Sequence, residues 1–286
     1  MSRNDAQTQR IIHAAIPENN ARQVDAFDLL TPLPQLRAVR LLDLGAGDGR
    51  SFDYAKRVYP DLDWLGLDIE GSNEVRSRSR TDCAFATYDG VNIPYPANHF
   101  DVVFSRQVFE HVRYPELVMA QIFRVLRPGG QFIGSVSQLE PFHSQSYWNY
   151  TYFGFSSIAL DAGLNLLELR PGIDGLTLIV RNFVLWGLKN KKMKAKFQKY
   201  FTRSSPLNLL IGGTFGRDNL DQAEQAEFAI LMQQIASLIP EIMDDEIPHH
   251  MAGTSEISVR AINMLKIRYA GHICFRFEKP VLSPPG

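Results

Sequence analysis

Cysteine is scarce in this chain of 286 residues, which contains Cys83 and Cys274 alone, far apart in the sequence. Two distant cysteines exclude a disulfide framework and favour a reducing compartment, so we expect a cytoplasmic protein. Long apolar runs are also missing, since none approaches the roughly 18 residues of a membrane-spanning helix. The N-terminal sequence MSRNDAQTQR is polar, and a signal peptide is therefore not expected.

A large net charge is the third missing feature. The 30 Lys and Arg residues nearly balance the 31 Asp and Glu residues, so that the net charge is −1. Such a chain has no overall field that would attract nucleic acid, and we expect no nucleic-acid partner. Hydrophobic residues make up 45% and charged residues 21%, which is ordinary for a globular protein of one large domain, or of one domain with an insertion.

Strand-like and helical segments alternate between residues 38 and 138. Apolar runs rich in β-branched or aromatic residues predict strands at 39–44, 64–67, 84–88, 101–105 and 131–136. Helices are predicted at 51–58 and 115–126, and the sequence RPGG at 127–130 should end the second helix. This alternation predicts an α/β fold of the doubly wound class, a parallel sheet with helices on both faces.

The sequence LLDLGAGDGR, which ends the first predicted strand, carries Gly45, Gly47 and Gly49 at alternate positions. In a doubly wound sheet the ligand binds at the carboxyl ends of the strands. Glycines there let the backbone approach a nucleotide-like group closely, and a helix that begins near Arg50 or Ser51 points its N–H groups at the same place. An ordinary tight turn is the alternative interpretation.

Carboxylates end the next two predicted strands. Asp68 lies about 20 residues after the glycines, where an acceptor for ribose hydroxyls is expected. Asp89 ends the third strand, and would reach an adenine amino group. The alternative is that both residues merely terminate strands. An NAD or FAD fingerprint needs a glycine at position 50, and Arg50 therefore argues against a dinucleotide.

Five segments of the chain resemble class I S-adenosylmethionine-dependent methyltransferases: LLDLGAGDGR, LGLDIE, YDGVNIPYPANHFDVVFS, FEHV and RVLRPGG. The branch they resemble includes the ubiquinone- and menaquinone-biosynthesis methyltransferases, and the resemblance covers residues 38–175. It implies a Rossmann-like, mostly parallel sheet of seven strands with the last strand antiparallel. Segments 165–169 and 271–278 suit the last two strands.

The resemblance implies S-adenosylmethionine as the cofactor and assigns its contacts to particular residues. The implied contacts are Asp43, Gly45, Gly47 and Gly49 for the methionine part, Asp68 for the ribose hydroxyls, Ile69, Asp89 and Gly90 for the adenine, and Ser105, Arg106 and Gln107 beneath the sulfonium. Some relatives in the quinone pathways bind a divalent ion through a further glutamate at the position of Gln107. Because Gln107 departs from that pattern, no metal is expected.

A general base is needed only where the acceptor must lose a proton. The candidates are Glu110 and His111 after the fourth predicted strand and His143 after the fifth. His143 is preferred, because its loop also carries three aromatic residues that would stack on a ring: Tyr147, Trp148 and Tyr150. The alternative for each histidine is a structural hydrogen bond, and for the aromatic residues it is ordinary packing.

The remaining segments predict a division into 1–37, 38–175, 176–268 and 269–286. We expect an N-terminal helical flap at 5–16, the cofactor-binding core, a mainly helical insertion that serves as an acceptor lid, and the final strand. Residues 184–201 of the insertion carry six lysines and no acid, with aromatic residues on one helical face. Such a helix would lie on an anionic membrane or cover the acceptor, and the lid is preferred.

Two further segments of the insertion are predicted from their composition. Residues 221–239 should form an amphipathic helix that ends at Pro240. The sequence DDEIPHH at 244–250 has the composition of a metal ligand set, but its proline and irregular spacing favour a solvated loop.

These features together predict an S-adenosylmethionine-dependent methyltransferase, with O-methylation of a small-molecule or glycan-type acceptor preferred. A non-catalytic S-adenosylmethionine-binding protein that uses the insertion as a partner surface is the alternative. The sequence predicts no particular oligomeric state.

Overall fold

The computed structural model describes residues 4–19, 23–140, 145–179, 195, 223, 226–227, 230 and 259–281. Its strands form one seven-stranded sheet in the order β3-β2-β1-β4-β5-β7-β6. The strands are β1 (Val39–Leu44), β2 (Leu62–Ile69), β3 (Ala84–Tyr88), β4 (Phe100–Arg106), β5 (Leu126–Ser137), β6 (Asn165–Pro171) and β7 (His272–Glu278). Strand β7 is antiparallel to β5 and β6, and the other four pairings are parallel. The predicted doubly wound sheet with an antiparallel last strand is confirmed.

The described α-helices are α1 (Asp5–Ala14), α2 (Arg50–Val58), α3 (Asn73–Ser77), α4 (Pro115–Val125), α5 (Tyr152–Asp161) and α6 (Val259–Arg268). Short 3₁₀ helices span Ala26–Leu29 and Phe109–His111. Proline at the first position of α4 has no N–H to leave unpaired, and Thr151 caps α5 by accepting a hydrogen bond from the Gly154 N–H. The helices predicted at 51–58 and 115–126 are confirmed within one residue at each end.

Two apolar layers cover the faces of the sheet. Strand β4 shows the alternation, because Val103 packs with the cluster under α4 and α5, whereas Val102 and Phe104 pack with the cluster under α2. All three side chains are almost completely buried. Burial of each such side chain stabilises the fold by about 1.5–3 kcal/mol. A strand that is apolar on both faces is expected at the centre of a parallel sheet.

Strand β5 begins earlier than the sequence predicted. The helix ends before the segment 127–130, as predicted, but this segment belongs to the strand, which was expected to begin at residue 131. The Gly129 N–H donates to the Lys279 carbonyl at 2.8 Å, and the Lys279 N–H donates to the Gly130 carbonyl at 2.9 Å. These bonds continue the ladder beyond β7, so a partner distant in sequence overrides the local turn signal.

The segments next to this core are described in part. Helix α1, in the predicted flap, packs against α5 and β6 and buries Ile12 in the core, and Ile16, two residues after the helix, is buried there as well. The predicted basic helix at 184–201, the helix at 221–239 and the loop at 244–250 lie outside the described residues, apart from isolated positions. The predicted domain boundaries stay predictions. Within the described part of the chain, no helix has the length and apolar character that crossing a membrane would require.

Candidate active site

The glycine turn after β1 has the left-handed backbone that its sequence predicts. Gly45, Gly47 and Gly49 have φ angles of 75°, 52° and 79°, values that L side chains rarely adopt. A Cβ atom on Gly45 would overlap the side chain of Val108. One on Gly47 would have its nearest neighbour, in Glu74, 3.8 Å away. The chain therefore leaves space beside Gly47 that a bound group can use.

Asp68 lies directly beside this turn. Its Oδ2 accepts a hydrogen bond from the Gly47 N–H at 2.9 Å, and its Oδ1 accepts one from the Ile69 N–H at 2.8 Å. Each carboxylate oxygen can accept a second hydrogen bond. The carboxylate can thus be held by the backbone and still receive two ribose hydroxyls.

Apolar surface follows Asp68 at the same sheet edge. Ile69 is 47% exposed, so its apolar surface is open to a bound group. Gly90 lies beside it, since a Cβ on Gly90 would be 3.5 Å from Ile69 Cγ2. The parallel ladder pairs Ile69 with Tyr88, two residues before Gly90. The structure therefore brings together the residues predicted to contact ribose and adenine.

Asp89 caps its own loop. Its Oδ1 accepts hydrogen bonds from the Val91 and Asn92 N–H groups at 2.8 and 2.6 Å, and its Oδ2 accepts one from Asn92 Nδ2 at 2.7 Å. These bonds, the one from the Asn92 side chain first, lower the pKa of the Asp89 carboxyl. Asp89 is thus a structural residue at the end of β3, and its contact with adenine stays a prediction.

Two arginines bind carbonyl groups of the glycine turn, and the sequence analysis missed both. The Arg78 guanidinium donates through Nε and Nη2 to the Gly47 carbonyl at 2.8 and 2.6 Å, and it stacks 3.7 Å above the Phe85 ring. Arg80 donates to the Gly49 carbonyl at 2.9 Å. The alternation of RSRSR at 76–80 therefore matches the alternation of the glycines. It is a local signal that was present in the sequence.

Asp43 lies in the interior under the glycine turn. Ser51 Oγ donates a hydrogen bond to its carboxylate, and Trp64 Nε1 donates to Ser51 Oγ at 3.0 Å. Burial raises the pKa of the Asp43 carboxyl to about 7, the nearby Asp68 also raises it, and the bond from Ser51 lowers it. Contact between Asp43 and the methionine part of the cofactor stays a prediction.

The three residues predicted beneath the sulfonium have different surroundings. Ser105 is buried. The Arg106 guanidinium pairs with Asp25 at 2.9 Å and lies over the Phe27 ring, so its charge is already compensated by the segment before β1. Gln107 has a φ angle of 57°, which is uncommon for a residue with a side chain and occurs often at functional sites.

Gln107 belongs to a polar cluster at the carboxyl ends of β4 and β5. Ser137 Oγ, at its centre, lies 2.9 Å from Gln107 Oε1, 3.1 Å from Glu110 Oε1 and 2.8 Å from Glu140 Oε2. His272 Nε2 lies 3.0 Å from the same Glu140 oxygen. The β5–β7 ladder pairs Ser137 with His272. Sequence analysis missed Ser137, Glu140 and His272, because the antiparallel pairing that assembles them has no local signature.

The aromatic residues near this cluster divide into two groups. Tyr150 is buried and its hydroxyl donates to the Phe109 carbonyl at 3.2 Å, which confirms packing for this residue. Tyr147 and Trp148 are 58% and 45% exposed, and their backbone N–H groups donate to the Glu110 carbonyl. They therefore lie next to Glu110 and can line an acceptor site.

The three predicted bases are only partly described. Glu110 and His111 share the short helix Phe109–His111, where Glu110 is fully buried and His111 is partly buried. His143 lies outside the described residues. The choice among them stays a prediction.

A cavity of about 440 Å³ opens beside the polar cluster. Its described lining residues are Gln138, Leu139, Glu140, Asn149, Gly175, Leu176, Ile179 and Tyr269. Most of these contribute apolar surface, and Glu140 belongs to both the cavity wall and the cluster. Its volume falls within the usual range of small-molecule sites.

A family model described as a methyltransferase domain matches residues 42–134. This range contains the glycine turn, Asp68, Asp89 and the segment after β4. Residues 42–134 are a class I S-adenosylmethionine-dependent methyltransferase domain. S-Adenosylmethionine is the cofactor of such domains. The open space beside Gly47 fits the methionine part of this cofactor, and the Asp68 carboxylate and the exposed Ile69 fit its ribose and adenine parts.

Curated relatives of the methyltransferase domain have several different names. The chain is 28% identical over 121 residues to a fatty-acid O-methyltransferase of Mycolicibacterium smegmatis, a match that covers 41% of this chain and 43% of that protein. It is 34% identical over 97 residues to a demethylmenaquinone methyltransferase of Renibacterium salmoninarum, covering 33% and 39%. It is 30% identical over 131 residues to a ubiquinone biosynthesis O-methyltransferase of Cereibacter sphaeroides, covering 44% and 51%. The chain thus spans about half the length, or less, of these relatives.

Among the described residues, no group of three His, Cys, Asp or Glu side chains is arranged as a metal-ligand set.

Proposed function

We propose that this chain transfers a methyl group from S-adenosylmethionine to a hydroxyl group of a small-molecule or glycan-type acceptor. The observation that carries the proposal is the glycine turn beside Asp68, with open space at Gly47 and the Asp68 carboxylate held by the Gly47 N–H. The match of residues 42–134 to a methyltransferase domain supports methyl transfer as the reaction. The curated relatives that are named O-methyltransferases support oxygen as the methylated atom.

The cofactor supplies a methyl group that is already activated for transfer. The main task of the chain is therefore to align the acceptor with it, and alignment of this kind can lower a barrier by about 7–11 kcal/mol. Asp68 would orient the ribose, and Ile69 and Gly90 would hold the adenine. Arg78 and Arg80 hold the turn carbonyls in place before any ligand arrives, so that little reorganisation is needed.

A hydroxyl acceptor loses a proton as it is methylated, and a well-placed base contributes about 10²–10⁴-fold to such a step. Carboxyl and imidazole groups lie together at the ends of β4 and β5, which supports this region as the one that takes the proton. The exposed Tyr147 and Trp148 provide surface for a ring or an apolar chain. These features support O-methylation over transfer to an acceptor that keeps its protons.

The test is a search for labelled products. The protein is incubated with S-adenosylmethionine carrying a labelled methyl group and an extract of small molecules, and products that gain the label are found by mass spectrometry. We expect a labelled methyl ether or ester together with S-adenosylhomocysteine, and neither from the Asp68→Ala variant. Binding of S-adenosylhomocysteine without any labelled product would instead support the alternative, a non-catalytic cofactor-binding protein.

A further inference from the structure

The hydroxyl of Ser137 has more oxygen neighbours than it has hydrogens. Three acceptor oxygens, from Gln107, Glu110 and Glu140, lie 2.8–3.1 Å from Ser137 Oγ. A hydroxyl donates one hydrogen bond, and it accepts the others. Turning the Gln107 amide would supply one more donor and still bond Ser135. Two carboxyl groups thus meet at one hydroxyl at the end of β5.

Glu140 is the member of the cluster that reaches the cavity. Its Oε2 lies 2.8 Å from the Ser137 hydroxyl and 3.0 Å from His272 Nε2, so two donors can converge on one carboxylate oxygen. A carboxylate held in this way in a mainly apolar wall is suited to orient an acceptor hydroxyl and to accept its proton.

The cluster also links the cavity to the predicted cofactor site. Gln107, predicted beneath the sulfonium, contacts Ser137, Ser137 contacts Glu140, and Glu140 contacts His272. Each contact is about 3 Å long. The carboxylate is therefore near both the space for an acceptor and the strand end at which the methyl group is expected.

We propose that the cavity binds an apolar molecule bearing a hydroxyl group and that Glu140 accepts its proton, with His272 and Ser137 as positioning residues. The proposal rests on the proposed methyl transfer and replaces the histidines predicted from the sequence as the base. In the step, the acceptor oxygen bonds to the methyl carbon and the carbon–sulfur bond breaks, its electron pair remaining on sulfur. The hydroxyl proton passes to the Glu140 carboxylate, which later releases it to water.

The kinetic test uses the product that the labelling experiment identifies. Glu140→Gln should lower kcat about 100-fold or more, because the side chain keeps its size but no longer accepts a proton, and the affinity for S-adenosylhomocysteine should not change. His272→Gln should lower kcat about tenfold with little change in KM. Glu168→Gln is the control, because it removes a comparably buried carboxylate from β6, where Glu168 pairs with Arg276. It should lower stability without lowering kcat.

The binding test needs no knowledge of the natural acceptor. Calorimetry measures the affinity of the protein for 4-octylphenol and for 1-phenyloctane, which lacks the hydroxyl, in the presence of S-adenosylhomocysteine. The ratio of the two affinities reports how much the hydroxyl contributes to binding. The wild-type protein should prefer the phenol about tenfold, Glu140→Gln should lose the preference, and Ile179→Trp should weaken both ligands by filling the cavity.

Three results would overturn the proposal while leaving methyl transfer itself intact. The first is full kcat in Glu140→Gln, with the loss found instead in His143→Ala or His111→Ala. The second is equal affinity of the wild-type protein for the two probes. The third is binding of neither probe by a protein that still binds S-adenosylhomocysteine and forms the labelled product. Absence of any labelled product would count against the proposed function instead.

Discussion

Replacement of Asp68 by asparagine tests the cofactor site most directly. The Asp68 carboxylate accepts backbone N–H groups from Gly47 and Ile69, one on each oxygen. Asparagine has one oxygen, so its amide NH₂ must face one of these two donors. Loss of a partner for a backbone N–H costs about 1–3 kcal/mol, and we expect the free energy of unfolding to fall by about 1 kcal/mol because the site is partly open to water.

The effect on the ligand should be larger than the effect on the fold. Each charge-assisted hydrogen bond from a ribose hydroxyl contributes about 1.5–3 kcal/mol. Asp68→Asn removes the charge and one acceptor, so S-adenosylhomocysteine should bind about 100-fold more weakly, a loss of about 3 kcal/mol. Adenosine should lose a similar factor. The analogue 2′,3′-dideoxyadenosine, which lacks both hydroxyls, should bind the two proteins equally.

Calorimetry measures the affinities and urea unfolding measures the stability. Asp63→Asn is the matched control, because Asp63 lies on the same strand with its side chain 72% exposed. That variant should leave ligand affinity unchanged and stability within about 0.5 kcal/mol. A folded Asp68→Asn protein with unchanged affinity for S-adenosylhomocysteine, or an equal loss for the dideoxy analogue, would refute the placement of the ribose.

Three further changes test other parts of the structure. Gly47→Ala adds a methyl group to the open space at φ 52°, so affinity for S-adenosylhomocysteine should fall at least tenfold by calorimetry; unchanged affinity would contradict the site. The pKa of Asp43 is about 7 in the fold against an ordinary value of 3.8. The folded state therefore binds more protons than the unfolded state between these values, and stability falls as the pH rises from about 4 to 7. Asp43→Asn removes this loss, and should be more stable than wild type by up to about 4 kcal/mol at pH 8 but not near pH 4 in urea unfolding; an advantage independent of pH would contradict it. Glutamine at Lys191, Lys192, Lys194 and Lys196 should not change sedimentation with anionic vesicles, since we expect no salt-sensitive binding by either protein; wild type that pellets while the variant does not would favour a membrane-surface helix.

Local pattern accounts for much of the core and of the cofactor side of the site. Apolar runs of strand length predicted strands that exist, because a central parallel strand is buried on both faces whatever its neighbours are. The glycine turn was predictable for a similar reason, since a strand end followed directly by a helix demands unusual φ angles at fixed positions. Asp68 was predictable in the same way, from its position at the end of the next strand.

Local pattern failed where a distant segment supplies the partner. The RPGG segment ends a helix, as its sequence predicts, but it also joins the strand, because Lys279 exchanges backbone hydrogen bonds with it. The alternation of RSRSR matches that of the glycines, but it did not predict the bonds of Arg78 and Arg80, because only the fold brings the turn carbonyls to them. In each case the local structure is stabilised by hydrogen bonds to residues that are distant in the sequence.

The polar cluster at the ends of β4 and β5 is decided by tertiary structure almost entirely. Sequence alone predicted the mostly parallel sheet, which the structure confirms, and a nucleotide-like site at its carboxyl edge, because hydrophobic period, glycine positions and strand-end carboxylates are local properties. It did not determine which acid–base groups meet there. Glu140 and His272 are 132 positions apart, and they come together because β7 pairs antiparallel with β5 in the register that sets His272 opposite Ser137. A shift of that register by one residue would turn the His272 side chain to the other face of the sheet, since strand side chains alternate between faces.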